Sequence, residues 1–253
     1  MERQLQRAVI LALFACAAAG GNAWGIDILV PGMSLQSVSL VPGARVSYLV
    51  ISEAFGAADS SFIELRVLDH AHGFCRLEIV SSPYPRSREE AVTIRLRLAE
   101  RATSASSPAE FRSCLQEILI REGRGGFRPP SEKELDDLDI EAIFVRSDDR
   151  ATRTSLGSAQ IATAAGTFQC DGVEVSSTET KSVNLGGVEA QREREEISRA
   201  WISRDVPLWG LVQSTVEKRT LTRVPGMKRN VERPRVSKTE STLLSFTMPR
   251  RRP

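Results

Sequence analysis

Seven residues, Val92-Thr93-Ile94-Arg95-Leu96-Arg97-Leu98, set four apolar side chains on alternate positions, with one threonine and two arginines between them. A helix would scatter such a pattern around its whole circumference, whereas a strand sends successive side chains to opposite faces. The run is therefore a strand with one buried and one wet face, the mark of antiparallel sheet. The alternation recurs nearby. Val46, Tyr48 and Val50 share one face; Phe62, Ile63, Leu65 and Val67 mark a second strand; Cys75, Leu77 and Ile79 alternate with Arg76 and Glu78 in a third. Asp69-His70-Ala71-His72-Gly73 fits the turn between the second and the third.

The period changes in mid-chain. Ser107 as N-cap, Pro108 at the first helical position and Glu110 in the first turn announce a helix, with Phe111, Cys114, Leu115, Ile118 and Leu119 at helical spacing and Gly123 as its stop. This predicts an amphipathic helix lying across the sheet. Gly125-Gly126 and Pro129-Pro130 make a connection, and Ser131 with Glu134 forms a capping-box pattern opening a second, short helix, which Leu135, Leu138 and Ile140 to Val145 pack onto the core. After Asp148-Asp149-Arg150 the strand pattern returns, with Ser158 to Thr163 and Gly166 to Val175 as a hairpin turning at Ala164-Ala165-Gly166, a turn at Asn184-Leu185-Gly186-Gly187, a break at Pro207 and Gly210, and a last strand at Thr242 to Phe246. The fold class is mainly β (α+β), with nine or ten strands and a helical insert at 107–145, in one domain spanning 24–253.

The first residues speak for export. Arg3 and Arg7 precede Ala8 to Ala19, an apolar run too short for a bilayer span, which needs roughly 20 residues. Gly21-Asn22-Ala23 then offers small residues for a peptidase, so residues 1–23 read as a signal peptide cleaved after Ala23, with Gly25 as the next choice. Leu13-Phe14-Ala15-Cys16 also resembles a bacterial lipoprotein signal, in which Cys16 takes lipid and tethers the chain to a membrane surface. Phe14 departs from the small or β-branched residue usual there. Cys75, Cys114 and Cys170 remain after cleavage, an odd number that leaves at least one thiol free, and buried thiols are the favoured reading.

Thr163-Ala164-Ala165-Gly166-Thr167-Phe168-Gln169-Cys170 and Trp201-Ile202-Ser203-Arg204-Asp205-Val206-Pro207-Leu208-Trp209-Gly210-Leu211-Val212 resemble two signatures of exported bacterial proteins of the lipoprotein-carrier-like (LolA/LolB-like) superfamily. Val41-Pro42-Gly43-Ala44-Arg45-Val46-Ser47-Tyr48 is similar to the opening strand of that group. The resemblance implies a strongly curved antiparallel sheet, a half-barrel whose concave face is covered by one or two mid-chain helices. In the carriers that face binds acyl chains. Such turn-and-strand signatures specify fold better than activity.

On that reading, a hydrophobic or amphiphilic ligand, a lipid or a lipoprotein acyl chain, lies against Tyr48, Leu77, Ile79, Ile94 and Leu96, closed over by Phe111, Leu115 and Ile118, with Trp201 and Trp209 flanking the bent strand at Pro207. The same residues suit an ordinary filled core. Catalysis finds little material: His70 and His72 beside Asp69, or His72 with Cys75, are the only histidine constellations, Asp136, Asp137 and Asp139 read as a solvated face, and no phosphate loop, nucleophile elbow or zinc spacing occurs. No cofactor and no metal are expected. The net charge of +2 excludes a dedicated nucleic-acid binder. It hides an acidic stretch at 131–149 and a basic one at 211–253, where Lys218, Arg219, Arg223, Lys228, Arg229, Arg233, Arg235, Lys238, Arg250, Arg251 and Arg252 face Glu217, Glu232 and Glu240. The basic segment 224–253 suits an anionic membrane surface. The competing reading is a structural or partner-binding envelope protein using a sheet edge and that segment.

Overall fold

The computed structural model describes residues 40–54, 56–105, 108–138, 151–185, 188–223 and 234–249. Its strands are β1 (Arg45–Ala54), β2 (Ala57–Ala71), β3 (Phe74–Pro83), β4 (Val92–Ala99), β5 (Leu115–Glu122), β6 (Thr152–Thr163), β7 (Gly166–Leu185), β8 (Val188–Ile202), β9 (Leu211–Arg223) and β10 (Arg235–Thr247). All ten belong to one antiparallel sheet, in the order β5-β4-β3-β2-β1-β10-β9-β8-β7-β6. Each adjacent pair is also consecutive in sequence except one, β1 with β10, which pair from Arg45–Thr247 to Ala54–Ser237. Two five-stranded meanders are thus joined by the first and last strands. The connection from β5 to β6 runs from one free edge of the sheet to the other. It carries α2 (Glu132–Leu138); α1 (Pro108–Cys114) and a short 3-10 turn (Glu100–Ser104) lie between β4 and β5.

The sheet curls but does not close. Val46, Tyr48, Ile63, Leu65, Leu77, Ile79, Ile94, Leu96 and Leu98 stand opposite one another through β1 to β4 and share one buried face, as their alternation requires. Side chains on this face reach strands that are not neighbours. The Tyr48 hydroxyl on β1 donates to the Leu211 carbonyl on β9 at 3.1 Å, over β10. The rings of Phe168 on β7 and Phe246 on β10 meet edge to face with centroids 5.9 Å apart, although β8 and β9 lie between them. Such contacts need a concave surface, so the buried face is the inner one of a half-barrel.

Two sequence expectations change. The helix foreseen from Ser107 to Gly123 ends at Cys114, and Leu115 to Glu122 is strand β5, with Leu115, Ile118 and Ile120 opposite Leu98, Leu96 and Ile94. Leu115 and Ile118 satisfy a helical period, but Ile118 and Ile120 also satisfy a period of two, and β4 offers an apolar ladder to pair with; tertiary pairing overrides the local pattern. Ser107 lies outside the described residues. The second correction concerns the basic segment 224–253: within it Arg235 to Thr247 is a central strand, longer than the Thr242 to Phe246 expected. Much of the basic excess belongs to the sheet. Lys238 pairs with Glu240 at 2.5 Å, Arg219 with Glu217 and Arg223 with Glu193. Residues 224–233 and 250–253 lie outside the described ones, as do residues 1–23, expected to be a signal peptide, with Cys16 among them, Ile140 to Val145, and Gly186-Gly187 between β7 and β8.

The α2 capping box forms as read: Glu134 accepts from the Ser131 backbone amide at 2.7 Å, and the Ser131 hydroxyl accepts from the Glu134 amide at 3.4 Å. Leu135, however, is 39 % exposed rather than packed inward. Arg128, donating to both Glu134 oxygens at 2.7 and 2.9 Å, holds that carboxyl at about 2, with the Ser131 bonds adding to the effect. A folded-state value below the unfolded one contributes stability that is present above about 4.5 and lost as pH falls through about 2. In an NMR pH titration the Ser131 and Glu134 amide shifts are expected to move with a midpoint near 2; a midpoint at the ordinary value contradicts the cap.

Tyr48 supplies the second prediction. It is 1 % exposed, burial pushes its phenol well above the usual range, and its partner Leu211 lies beyond the last β9–β10 pair, Gln213–Thr242. The phenol therefore satisfies a carbonyl that β10 does not reach. Tyr48→Phe is expected to cost about 1–3 kcal/mol by leaving a buried acceptor unpaired, read as a lower urea midpoint at unchanged m-value.

Candidate functional site

Nine of the ten residues that the sequence singles out as a lining lie on or against the concave face; Trp201, opposite Gly172 and Gln213 and next to the inward Ala200, stands on the other face of β8. Tyr48, Leu77, Ile79, Ile94, Leu96, Phe111 and Trp209 belong to one buried cluster, and Leu115, Ile118 and Trp201 pack against it. The strands bring the aliphatic rows together, and the 3-10 turn with α1 lowers Ala102, Phe111 and Cys114 onto them. Tyr48, Leu77, Ile79, Ile94, Leu96 and Phe111 are at most 2 % exposed. A side chain facing a water-sized void would keep accessible surface, so this half of the face is filled. Its cover is slight: α1 is seven residues long, and Phe111 is its one large buried side chain.

Trp201 and Trp209 sit at a constriction built by glycine. A Cβ on Gly172 would lie 2.5 Å from the Trp201 ring, so only glycine lets β7 pass the indole. The loop between β8 and β9 is closed by the Ser203 amide donating to the Gly210 carbonyl at 2.8 Å, and it turns Val206, Leu208 and Trp209 into the core. Gly210 has φ +71°, and a Cβ there would stand 2.6 Å from the Ser203 carbonyl oxygen.

Sequence reasoning missed the other half of the face. Below Tyr48 the rows become polar: Val50–Ser241–Ser214–Ala200–Val173, then Ser52–Thr239–Val216–Ser198–Val175, then Ala54–Ser237–Lys218–Glu196–Ser177. Ser198, Ser214 and Ser241 are at most 1 % exposed, and among the described residues the Ser198 and Ser241 hydroxyls have no hydrogen-bond partner. Glu196, 7 % exposed, stands opposite Lys218, 9 % exposed, and accepts from Arg194 at 3.0 Å. The available signal was hydroxyl residues at a period of two (Ser237, Thr239, Ser241), which on one strand alone looks like a solvent face. Along a single concave surface the lining passes from aliphatic, through hydroxyl, to charged.

The remaining chemistry-bearing groups do not converge. Cys75, opposite His70 in the register, points into the core, where burial first and Asp69 second push its thiol to about 11. His72 lies in the β2–β3 turn at φ +54°, and His70 Nε2 is 3.8 Å from Glu100. Cys75, Cys114 and Cys170 are all buried and unpaired. Among the described residues no three His, Cys, Asp or Glu side chains gather as a metal site. On the outer face, Glu64 and Glu78 are buried beneath arginine stems: Glu64 pairs with Arg45 and Arg66, and Glu78 with Arg66 and with Arg95 at 2.9 Å. Arg95 and Arg121 both stack on Phe127, at 3.9 and 4.6 Å from the ring centre, which fastens the segment after β5 to the sheet.

No protein-family model matches the chain, and no curated protein matches it. Among solved structures it is similar to a candidate lipoprotein from Parabacteroides distasonis, at 14% identity over 83% of this chain and 98% of that one, with a TM-score of 0.35. It is similar, too, to a candidate exported protein with a YMCC-like fold from Bacteroides fragilis (11% identity, 82% and 97% covered, TM-score 0.35). A DUF1329 family protein from Desulfovibrio piger gives 8% identity, 84% and 88% coverage and a TM-score of 0.31. Likeness at these levels assigns no role to any residue here.

The loop geometry makes a prediction of its own. Gly210→Ala puts a Cβ against a backbone carbonyl at a left-handed φ, and is expected to lower stability by about 1–3 kcal/mol while leaving Trp201 and Trp209 inside the fold. Thermal unfolding followed by tryptophan fluorescence reads this out; an unchanged midpoint contradicts the proposed closure of the loop.

Proposed function

We propose that the chain is exported by its N-terminal signal, residues 1–23, and acts in the bacterial envelope without catalysing a reaction, holding an amphiphile on the concave face of its half-barrel. The observation that carries this reading is the gradient along that face, from Leu96 and Ile94 through Ser241 and Ser198 to Lys218 and Glu196. An acyl chain suits the aliphatic rows and a polar head suits the hydroxyl belt. Two buried hydroxyls with no partner among the described residues support it, because each costs about 1–3 kcal/mol where alanine would cost nothing. The resemblance to lipoprotein carriers agrees in ligand class.

Entry requires the cover to move. With Tyr48, Leu96 and Phe111 all buried in a single cluster, a chain reaches the aliphatic rows only if α1 swings out and Phe111 leaves. The ligand then replaces Phe111 as the filling. Cleavage after Ala23 discards Cys16, whereas lipid on Cys16 tethers the same module to a membrane; the mass of the mature N-terminus distinguishes these routes.

The full chain, secreted and stripped of lipid, is expected to take up one palmitoyl lysophospholipid per molecule by native mass spectrometry. Phe111→Ala should bind it several-fold better while losing stability, and Ser198→Val with Ser241→Val should bind it several-fold worse. If neither the natural chain nor Phe111→Ala forms the adduct, with circular dichroism intact for both, the reading is wrong.

A further inference from the structure

The β6–β7 hairpin runs past its neighbour. β8 ends at Ile202, opposite Asp171, so residues 159–170, which pair from Ala159–Cys170 to Thr163–Gly166, have no strand beside them on that side. Among the described residues no backbone hydrogen bond ties 159–170 to the rest of the sheet. Its side-chain bonds, Thr163 with Gly166 and Ala165, and Cys170 with Phe168, are internal. Apolar contact holds it down: Phe168 and Cys170 are buried, Ile161 and Ala165 pack against the same cluster, and the Phe168 ring meets that of Phe246 on β10. β6 itself comes up to β9 and β10. The end of the hairpin thus bends inward over the concave face.

The base of that bend is built from glycine. Gly157 and Gly172 stand opposite each other, and Gly157, at φ +79°, directly follows the register shift that makes Leu156 an extra residue in β6. Such an insertion bends and twists its strand. β7 turns at the same level: Phe168 and Cys170 are buried, then Val173 and Val175, an odd step that a regular strand would not give. Both strands thus lack a Cβ where the hairpin turns inward. We propose that residues 159–170 form a flap that swings about the Gly157–Gly172 pair, lifting Phe168 and Cys170 off the concave face while both meanders stay paired. Opening breaks no backbone hydrogen bond between the flap and the other described strands, so it gives up only the apolar contacts of a few side chains. The motion is separate from the displacement of α1 and stands whether or not the face takes an amphiphile.

Two buried thiols report the motion, Cys170 on the flap and Cys75 on β3 inside the sheet. In the full secreted chain, a thiol reagent mapped by mass spectrometry is expected to label Cys170 about tenfold or more faster than Cys75. Low urea should leave the Cys170 rate nearly unchanged, because the flap exposes little surface, and should accelerate Cys75 steeply, because its exposure needs the sheet to come apart. Ile94→Val on β4 lowers the stability of the whole fold without touching the flap, so it should raise the Cys75 rate several-fold and leave that of Cys170 as it was. Phe168→Ala, which removes the ring that meets Phe246, should raise the Cys170 rate about tenfold. Labelling of Cys170 no faster than Cys75, a shared urea dependence, or a Cys170 rate that rises with Ile94→Val as Cys75 does overturns the flap.

Discussion

Everything in this structure hangs on the seam between β1 and β10. The two strands are separated by almost the whole described chain, yet they pair over their full lengths, and without them the β1–β5 and β6–β10 meanders would be two sheets, each with two raw edges. Pairings so distant must overcome loop-closure entropy before the local hairpins can be joined. The structure reinforces the seam from the concave side. Tyr48 sits where the register shifts between Ser47 and Tyr48, and there its ring fills the cluster while its hydroxyl crosses β10 to hold β9. One side chain thereby fixes three strands in a curve.

Curvature in turn creates a surface with two chemistries. Where the 3-10 turn and α1 cover it, the concave face is a dry core; where β7 to β10 extend past that cover, its inward residues mix serine and threonine with valine and alanine, ending at Lys218 opposite Glu196. A protein needing only stability would have little reason to bury Ser198 and Ser241. Under the proposed function the two halves act together, the thin cover moving aside and the hydroxyl belt holding the head of the molecule that displaces it.

Much of the fold was legible because antiparallel strands advertise themselves. β3 and β4 announced both their faces, the capping box announced α2, and Ala164-Ala165 announced the β6–β7 turn. The failures have specific causes. Leu115 and Ile118 satisfied two periods at once, and only the presence of β4 decides between them. Arg235 to Ser241 looked like polar tail because its partners, β1 and β9, could not be identified from that segment alone. The hydroxyl belt was invisible for the same reason, since a serine faces inward or outward according to the register of a sheet ten strands wide. Whether the space beside the residues read as a lining is filled depends on the position of Phe111, which pattern does not encode.

Amide hydrogen exchange with and without a palmitoyl lysophospholipid tests the linked account most directly. If the ligand replaces the cover, amides in 100–114 should exchange faster on its addition, while those of β9 and β10 around Ser214 and Ser241 slow. Exchange that is unchanged in both regions at saturating ligand, or slowed in 100–114, contradicts a displaceable cover over a binding face.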